Sequence, residues 1–223
     1  LGIVEEFAVN APATNQQQPA MTMIHPDLHT NLSAMPTGFD LVDIARGEGH
    51  SKAWLCGTGT DYLRVPVDEE LKLRNADFTI EGWFYQTVDA TQAYASHAEL
   101  GDQESWLFRY NATLNAIEFY WTTTGATGTA LNIYADWTRT LNTWYHLAVT
   151  REGDTIRFFI DGVLQTNNVL SDTMAADQML PNTNNEMGWF TFDANFAGGN
   201  PTQVFDGYAF DMRLTKGKAL YTA

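Results

Sequence analysis

Residues 141–165, LNTWYHLAVTREGDTIRFFIDGVLQ, constrain the fold more than any other stretch of the chain. Apolar side chains alternate along it, and a period of two puts them on one face of an extended backbone. The pair Asp161-Gly162 tolerates the positive φ that a tight hairpin turn requires. The stretch therefore reads as two antiparallel strands and the start of a third, with the turn after the second. Trp144 leads the first strand, with Tyr145, Leu147 and Val149 on one face and His146 and Ala148 on the other. Ile156, Phe158 and Ile160 line one face of the second.

The same period recurs elsewhere. In residues 77–86, DFTIEGWFYQ, Phe78, Ile80, Gly82 and Phe84 oppose Thr79, Glu81, Trp83 and Tyr85. Large apolar groups on both faces mark a central strand covered on each side. Further strands are expected at 53–56 and 61–65, around a turn at 57–60, and at 106–110, 116–122, 129–134, 187–192 and 204–214. No window carries a long 3.6-residue period, and strand formers (13 Phe, 9 Tyr, 7 Trp) accompany turn formers (17 Gly). About ten short strands separated by turns pack as two antiparallel sheets, a sandwich or jelly roll. A chain of 223 residues suits one such domain. The polar loop at 171–186 is long enough to carry function.

Residues 1–52 differ in character. Asn15-Gln16-Gln17-Gln18-Pro19 and the scattered Pro12, Pro26 and Pro36 describe an extended segment with no core of its own. It either lies along its own domain or reaches a neighbouring subunit as an arm, and the sequence leaves both open. Residues 39–45 are its one short stretch able to form a helical turn or a strand. The domain proper is expected over 53–223.

The formal charge of −15, from 12 Lys plus Arg against 27 Asp plus Glu, repels phosphate backbones and excludes nucleic acid as a direct partner. Cations, neutral glycans and basic protein surfaces stay open, and solubility alone also accounts for the acidity. The single cysteine, Cys56, can form no internal disulfide and reads as a small buried hydrophobe. The first ten residues lack the basic region and apolar core of a signal peptide, and no membrane span is expected. The chain starts at Leu rather than Met, so an upstream piece removed or left out is an expectation too.

Four motifs in order, Asp77-Phe78-Thr79-Ile80-Glu81-Gly82-Trp83, Trp144-Tyr145-His146-Leu147-Ala148-Val149-Thr150-Arg151, Phe159-Ile160-Asp161-Gly162 and Phe205-Asp206-Gly207-Tyr208, resemble the laminin G-like and pentraxin-like jelly rolls of the concanavalin A-like lectin superfamily. The final stretch, MRLTKGKALYT at 212–222, resembles the C-terminal signature of such domains in bacteriophage virion proteins. The resemblance implies two curved sheets with ligands at the loops or on the concave face. Its pentraxin-like branch implies Ca²⁺ held by Asp102, Gln103, Asp193 and Gln203, since Asp102-Gln103-Glu104 precedes Trp106 and Gln203 precedes Phe205 as in that pattern. Carboxylates and amides on loops suit calcium's need for about six to eight oxygens. The pentraxin cysteines are replaced here by Glu81 and Leu147.

Glycan recognition needs an aromatic platform against a sugar's apolar face, with amides or carboxylates for its hydroxyls. Trp121, Tyr134 and Trp137 flank the Thr/Gly-rich loop at 122–129 and are the candidates; the alternative is that the same rings are core packing. A hydrolase needs two carboxylates on one face of a strand. Glu99 and Asp102 are three apart and face opposite ways, and Asp102 with Glu104 reads as loop. His25, His29, His50, His97 and His146 form no metal or triad spacing. The expectation is thus a non-enzymatic phage virion surface protein, a capsid decoration or similar, whose jelly roll binds cell-surface glycans and whose residues 1–52 contact other virion proteins or a second copy. The alternative is a secreted, stand-alone calcium-dependent lectin.

Overall fold

A computed structural model describes residues 21–24, 40–43, 52–56, 62–66, 71–99, 103–166, 170–171, 174–175, 180, 186–191 and 202–223. Among them, strands form two antiparallel sheets and the single helical element is a 3-10 turn at Thr127–Thr129. In chain order the strands are β1 (Met21–Ile24), β2 (Asp40–Asp43), β3 (Lys52–Cys56), β4 (Leu63–Pro66), β5 (Phe78–Gln86), β6 (Gln92–Glu99), β7 (Gln103–Asn111) and β8 (Ala116–Thr122). There follow β9 (Ala130–Asp136), β10 (Trp144–Glu152), β11 (Thr155–Ile160), β12 (Val163–Leu164), β13 (Leu170–Ser171), β14 (Glu186–Trp189) and β15 (Gly207–Lys216). The first sheet runs β12-β11-β10-β5-β15-β3-β2, with β1 also on β15; the second runs β13-β9-β8-β7-β6-β14-β4. This is the all-β jelly-roll sandwich expected from the alternation.

The hairpin of β10, β11 and β12 forms as its sequence dictates. Asp161 and Gly162 adopt φ of 51° and 78°, the left-handed pair a tight turn demands. The Asp161 carboxylate also accepts the His146 amide at 2.8 Å, fastening the turn to β10. Strand β5 is central, flanked by β10 and β15. Phe78, Ile80 and Phe84 enter the core, where Phe78 meets Phe119 of the other sheet at 5.3 Å between ring centres. Phe108 and Phe158 make a second bridge at 6.5 Å. Rings of this size each contribute on the order of 2–3 kcal/mol on full burial.

Several expectations are corrected by the topology. β3 and β4 do not pair as a hairpin; they belong to different sheets, so the chain crosses the sandwich between them. β6 has no counterpart in the sequence reading, because its Ala93, Ala95 and Ala98 lack the branched and aromatic groups that signal a strand, yet residues 92–98 are buried. Gln103 and Glu104 begin β7 rather than lying in a loop. The loop at 171–186 sends Met174 and Leu180 into the core; most of its other residues lie outside the described residues. Cys56 is a free, buried thiol as expected. In the leader, β1 pairs with β15 and β2 with β3, so these two stretches extend the chain's own sheet, and within the stretch at 39–45 the described residues Asp40–Asp43 form a strand.

On the outer face of the first sheet, Thr79 and Thr150 hold the C-terminal segment. Thr79 Oγ1 donates to the Lys218 carbonyl at 3.1 Å and accepts the Leu220 amide at 2.9 Å, and Thr150 Oγ1 donates to the Tyr221 carbonyl at 3.1 Å. Tyr221 then donates its hydroxyl to Glu81 at 2.6 Å. Glu81 also receives Arg213 Nε at 2.6 Å and lies 3.2 Å from His146 Nε2. Burial pushes the Glu81 carboxyl up, but the bonds from His146 and Tyr221 and the Arg213 charge more than offset this and hold it below the usual carboxylate range. Tyr221, buried beside that carboxylate, is pushed up to about 12.

Two predictions follow from this packing. At Gly207, φ is 144° and a Cβ would stand 1.9 Å from the Tyr85 carbonyl oxygen, so Gly207→Ala should cost on the order of 2–4 kcal/mol by urea denaturation. Since the folded pKa of Glu81 is depressed, its contribution is present above the unfolded value near pH 4 and lost as pH falls through the folded one. Glu81→Gln should therefore lower stability by about 2 kcal/mol at pH 7 and by progressively less as pH falls below about 4, read as the difference in urea midpoints.

Candidate functional site

β7, β8 and β9 form a meander whose register aligns residues across the second sheet. The β7–β8 turn is set by Asn111, whose Oδ1 accepts the amides of Thr113 and Leu114 at 3.1 and 3.2 Å, and by Asn115 at φ 52°. Arg109 then pairs with Glu118, and Glu118 with Tyr134. Ile117, Phe119 and Trp121 point inward, so Glu118, Tyr120, Tyr134 and Arg109 share the outer face.

Glu118 is the hub of this face. Its Oε2 accepts Arg109 Nε at 2.6 Å and Asn111 Nδ2 at 2.8 Å, and its Oε1 accepts Asn132 Nδ2 at 2.8 Å. It is only 1% exposed. Burial pushes its carboxyl up, but the Arg109 bond and charge and the two amide bonds outweigh this and hold it below the usual range. Arg109 reaches on through Nη1 to Gln203 Oε1 at 3.0 Å, and Gln203 accepts the Ala93 amide through its backbone carbonyl at 2.7 Å. Tyr120 donates to the buried Glu104, and burial together with that carboxylate raises its hydroxyl pKa. Arg109 lies 6.0 Å from the Tyr120 ring centre. Beside these, Ala93, Ala98 and Leu107 form a small apolar cluster against Tyr120.

The face thus combines half-exposed rings, a guanidinium and amides held in fixed directions. Among the described residues, Arg109 Nη2 and Gln203 Nε2 donate to no protein acceptor. Such groups suit hydroxyl-bearing ligands lying flat on the sheet.

The expected aromatic platform is divided by the structure. Trp121 has the parity of Ile117 and Phe119 and is 0% exposed in the core, stacked on Phe119 with centres 6.1 Å apart, so it presents no face to solvent. Trp137 lies past the end of β9 and packs edge-on against Tyr145 and Tyr110 at 5.0 and 5.9 Å, at the margin of the core. Tyr134 alone of the three lies on the polar outer face, and Gln203 joins it there. Of the expected calcium ligands, Asp102 and Asp193 lie outside the described residues, as does the side chain of Gln103 in β7. Gln203 accepts Arg109 Nη1 through its side-chain oxygen at 3.0 Å. Among the described residues no group of three or more His, Cys, Asp or Glu gathers as a metal set.

Arg109, Asn111, Glu118 and Asn132 were not singled out by the sequence reading. Their signal was present: a charged residue between Ile117 and Phe119 in an otherwise apolar strand needs a cross-strand partner.

Comparison with known proteins gives the fold a context. The profile of the family described as the concanavalin A-like lectin/glucanases superfamily (laminin G type) matches residues 57–217. A search of curated proteins finds no match. Among solved structures, the binding domain of botulinum neurotoxin serotype D is similar at 10% identity and TM-score 0.54, covering 81% of this chain and 43% of that one. The binding domain of botulinum neurotoxin DC, in complex with SialylT, is similar at 12% identity and TM-score 0.51, covering 79% and 41%. The chain therefore spans about two fifths of the length of those toxin domains.

The division of the rings predicts two different phenotypes. Trp121→Ala should cost about 3–5 kcal/mol in thermal or urea unfolding, the range for emptying a buried aromatic site. Tyr134→Ala, half exposed on the outer face, should cost about 1 kcal/mol or less.

Proposed function

Because the chain belongs to the concanavalin A-like lectin/glucanases superfamily, we propose that it is a non-enzymatic carbohydrate-binding jelly roll whose ligand lies across β7, β8 and β9. The observation that carries this reading is the Glu118 hub, which aims Arg109, Asn111 and Asn132 from one buried carboxylate beside the Tyr134 ring. Sugars are recognised by such pairings of a ring with fixed polar groups. The binding domain that is similar in fold and is in complex with SialylT is consistent with this use of the scaffold. Binding is favoured over hydrolysis because a glycosidase needs one carboxyl with a raised pKa to protonate the leaving group. Glu118 is shifted the other way and its oxygens are already bonded.

The setting we propose is the surface of a phage particle, as a capsid decoration or similar protein. Its support is the resemblance of residues 212–222 to the C-terminal signature of such domains. Residues 1–52 would contact other virion proteins or a second copy. A secreted calcium-dependent lectin is the second reading; it requires Asp102, Gln103 and Asp193 to supply the site, with Gln203 released from Arg109.

A glycan array with the purified chain tests the reading. Binding should appear, and both Arg109→Ala and Tyr134→Ala should weaken it about tenfold or more while the fold stays intact by circular dichroism. EDTA should leave the signal unchanged; its loss would favour the calcium lectin. Repeated copies on purified virions would support the particle setting.

A further inference from the structure

Resting on the glycan-binding reading, we infer that this face discriminates by charge: it accepts uncharged sugars and rejects their carboxylated counterparts, and Glu118 is the residue that sets this specificity. An arginine grips a carboxylate best with two parallel N–H groups. In Arg109 the side-on fork is taken, because Nε is given to Glu118 at 2.6 Å, and the end-on edge is partly engaged, because Nη1 gives a hydrogen to Gln203 at 3.0 Å. What is left is the end-on edge, on which Nη1 already gives one of its two hydrogens to Gln203, sufficient for a hydroxyl or a ring oxygen and a weaker grip on a carboxylate than an open guanidinium would give.

Charge acts in the same direction. The positive charge of Arg109 is already neutralised by a carboxylate that is 1% exposed and held ionised by three donors. A ligand carboxylate at Nη2 would have to approach that buried anion, and Glu104, also 1% exposed, adds a second carboxyl on the same face beyond Tyr120. Like charges brought together where water is scarce repel strongly. Gln203, its oxygen engaged by Arg109, brings a neutral amide donor that favours a hydroxyl without compensating a charge. Glu118 touches no ligand in this scheme; it acts as a positioning residue, through Arg109.

The alternative source of the same preference is the net charge of −15, which repels any anion at a distance. The two are separable, since long-range repulsion is screened within about 3 Å at 1 M salt whereas a buried neighbour is screened far less.

The test is an array of matched pairs, lactose with sialyllactose, glucose-terminated with glucuronate-terminated and galactose-terminated with galacturonate-terminated chains, read at 0.15 M and about 1 M NaCl. The wild-type chain should bind the neutral member of at least one pair at least tenfold better at both salt concentrations. Glu118→Gln frees Arg109 from its counter-ion and should shrink that ratio at least tenfold, chiefly by gain of binding to the acidic member. Equal or better wild-type binding of acidic members overturns the inference and leaves the glycan-binding reading standing, as does a preference that vanishes at high salt. Binding to no glycan overturns the glycan-binding reading itself. Should Glu118→Gln fail to fold, the wild-type ratio at high salt decides, with Gln203→Ala as a second variant expected to bind acidic members better by freeing the engaged hydrogen of Arg109 Nη1.

Discussion

The strict two-residue period of an extended chain is the constraint on which everything else in this molecule rests. Within β8, Ile117, Phe119 and Trp121 are forced inward, and Glu118 and Tyr120 are therefore forced out. The same alternation in β5 sends Phe78, Ile80 and Phe84 into the shared interior and leaves Glu81 on the far side. A slip of one residue in either strand would bury a carboxylate among aromatic rings and expose the rings. Register is thus specified by the cost of both errors at once, and the position of each functional side chain is a by-product of core packing.

Both sheets solve the problem of an outward carboxylate in the same way. Glu81 is directly opposite Arg213 on β15, and Glu118 directly opposite Arg109 on β7, so each acid is neutralised by a cross-strand guanidinium. The difference lies in what comes next. Over Glu81 the chain lays its own C-terminal segment, and the Tyr221 hydroxyl fills the remaining carboxylate oxygen, with its ring against Phe159 at 5.5 Å. Over Glu118 the second and third partners are the amides Asn111 and Asn132, which come from the sheet itself. One pair is closed by the protein's own chain and serves stability; the other keeps donors directed outward. That contrast, rather than any count of aromatic rings, is why the second sheet is the candidate binding face.

The fold was legible because its signal is local and repeated. Trp144 to Ile160 and Phe78 to Gln86 alternate so regularly that strand, face and turn could each be assigned from residue type alone, and the Asp161-Gly162 turn stands as read. β6 was not legible, since Ala93, Ala95 and Ala98 are buried by their neighbours and not by any preference of their own. Neither was the assignment of β3 and β4 to opposite sheets, which depends on partners more than a hundred residues away, β15 and β14. For the site, Tyr134 and Gln203 were singled out for separate purposes and meet on one face, while Trp121 failed because its parity with Phe119 was not weighed against its nearness to a loop. Hydropathy marks a ring as apolar; only its position in the alternation says which side it serves.

The two halves of the molecule also differ in how their geometry is made. The first sheet is closed by contacts distant in sequence: Glu81 with Arg213 spans 132 residues and Thr79 with Leu220 spans 141. The face around Glu118 is built almost wholly within one meander, where Arg109 with Glu118 spans nine residues and Asn132 with Glu118 fourteen. A loss at the C-terminal closure consequently loosens the whole sandwich, whereas a substitution within the meander changes the face and leaves the closure alone. Placing the variable, ligand-facing chemistry on locally determined strands and the closure on distant ones lets the polar surface diverge without endangering the interior, which is consistent with how little sequence this chain shares with structures of the same fold.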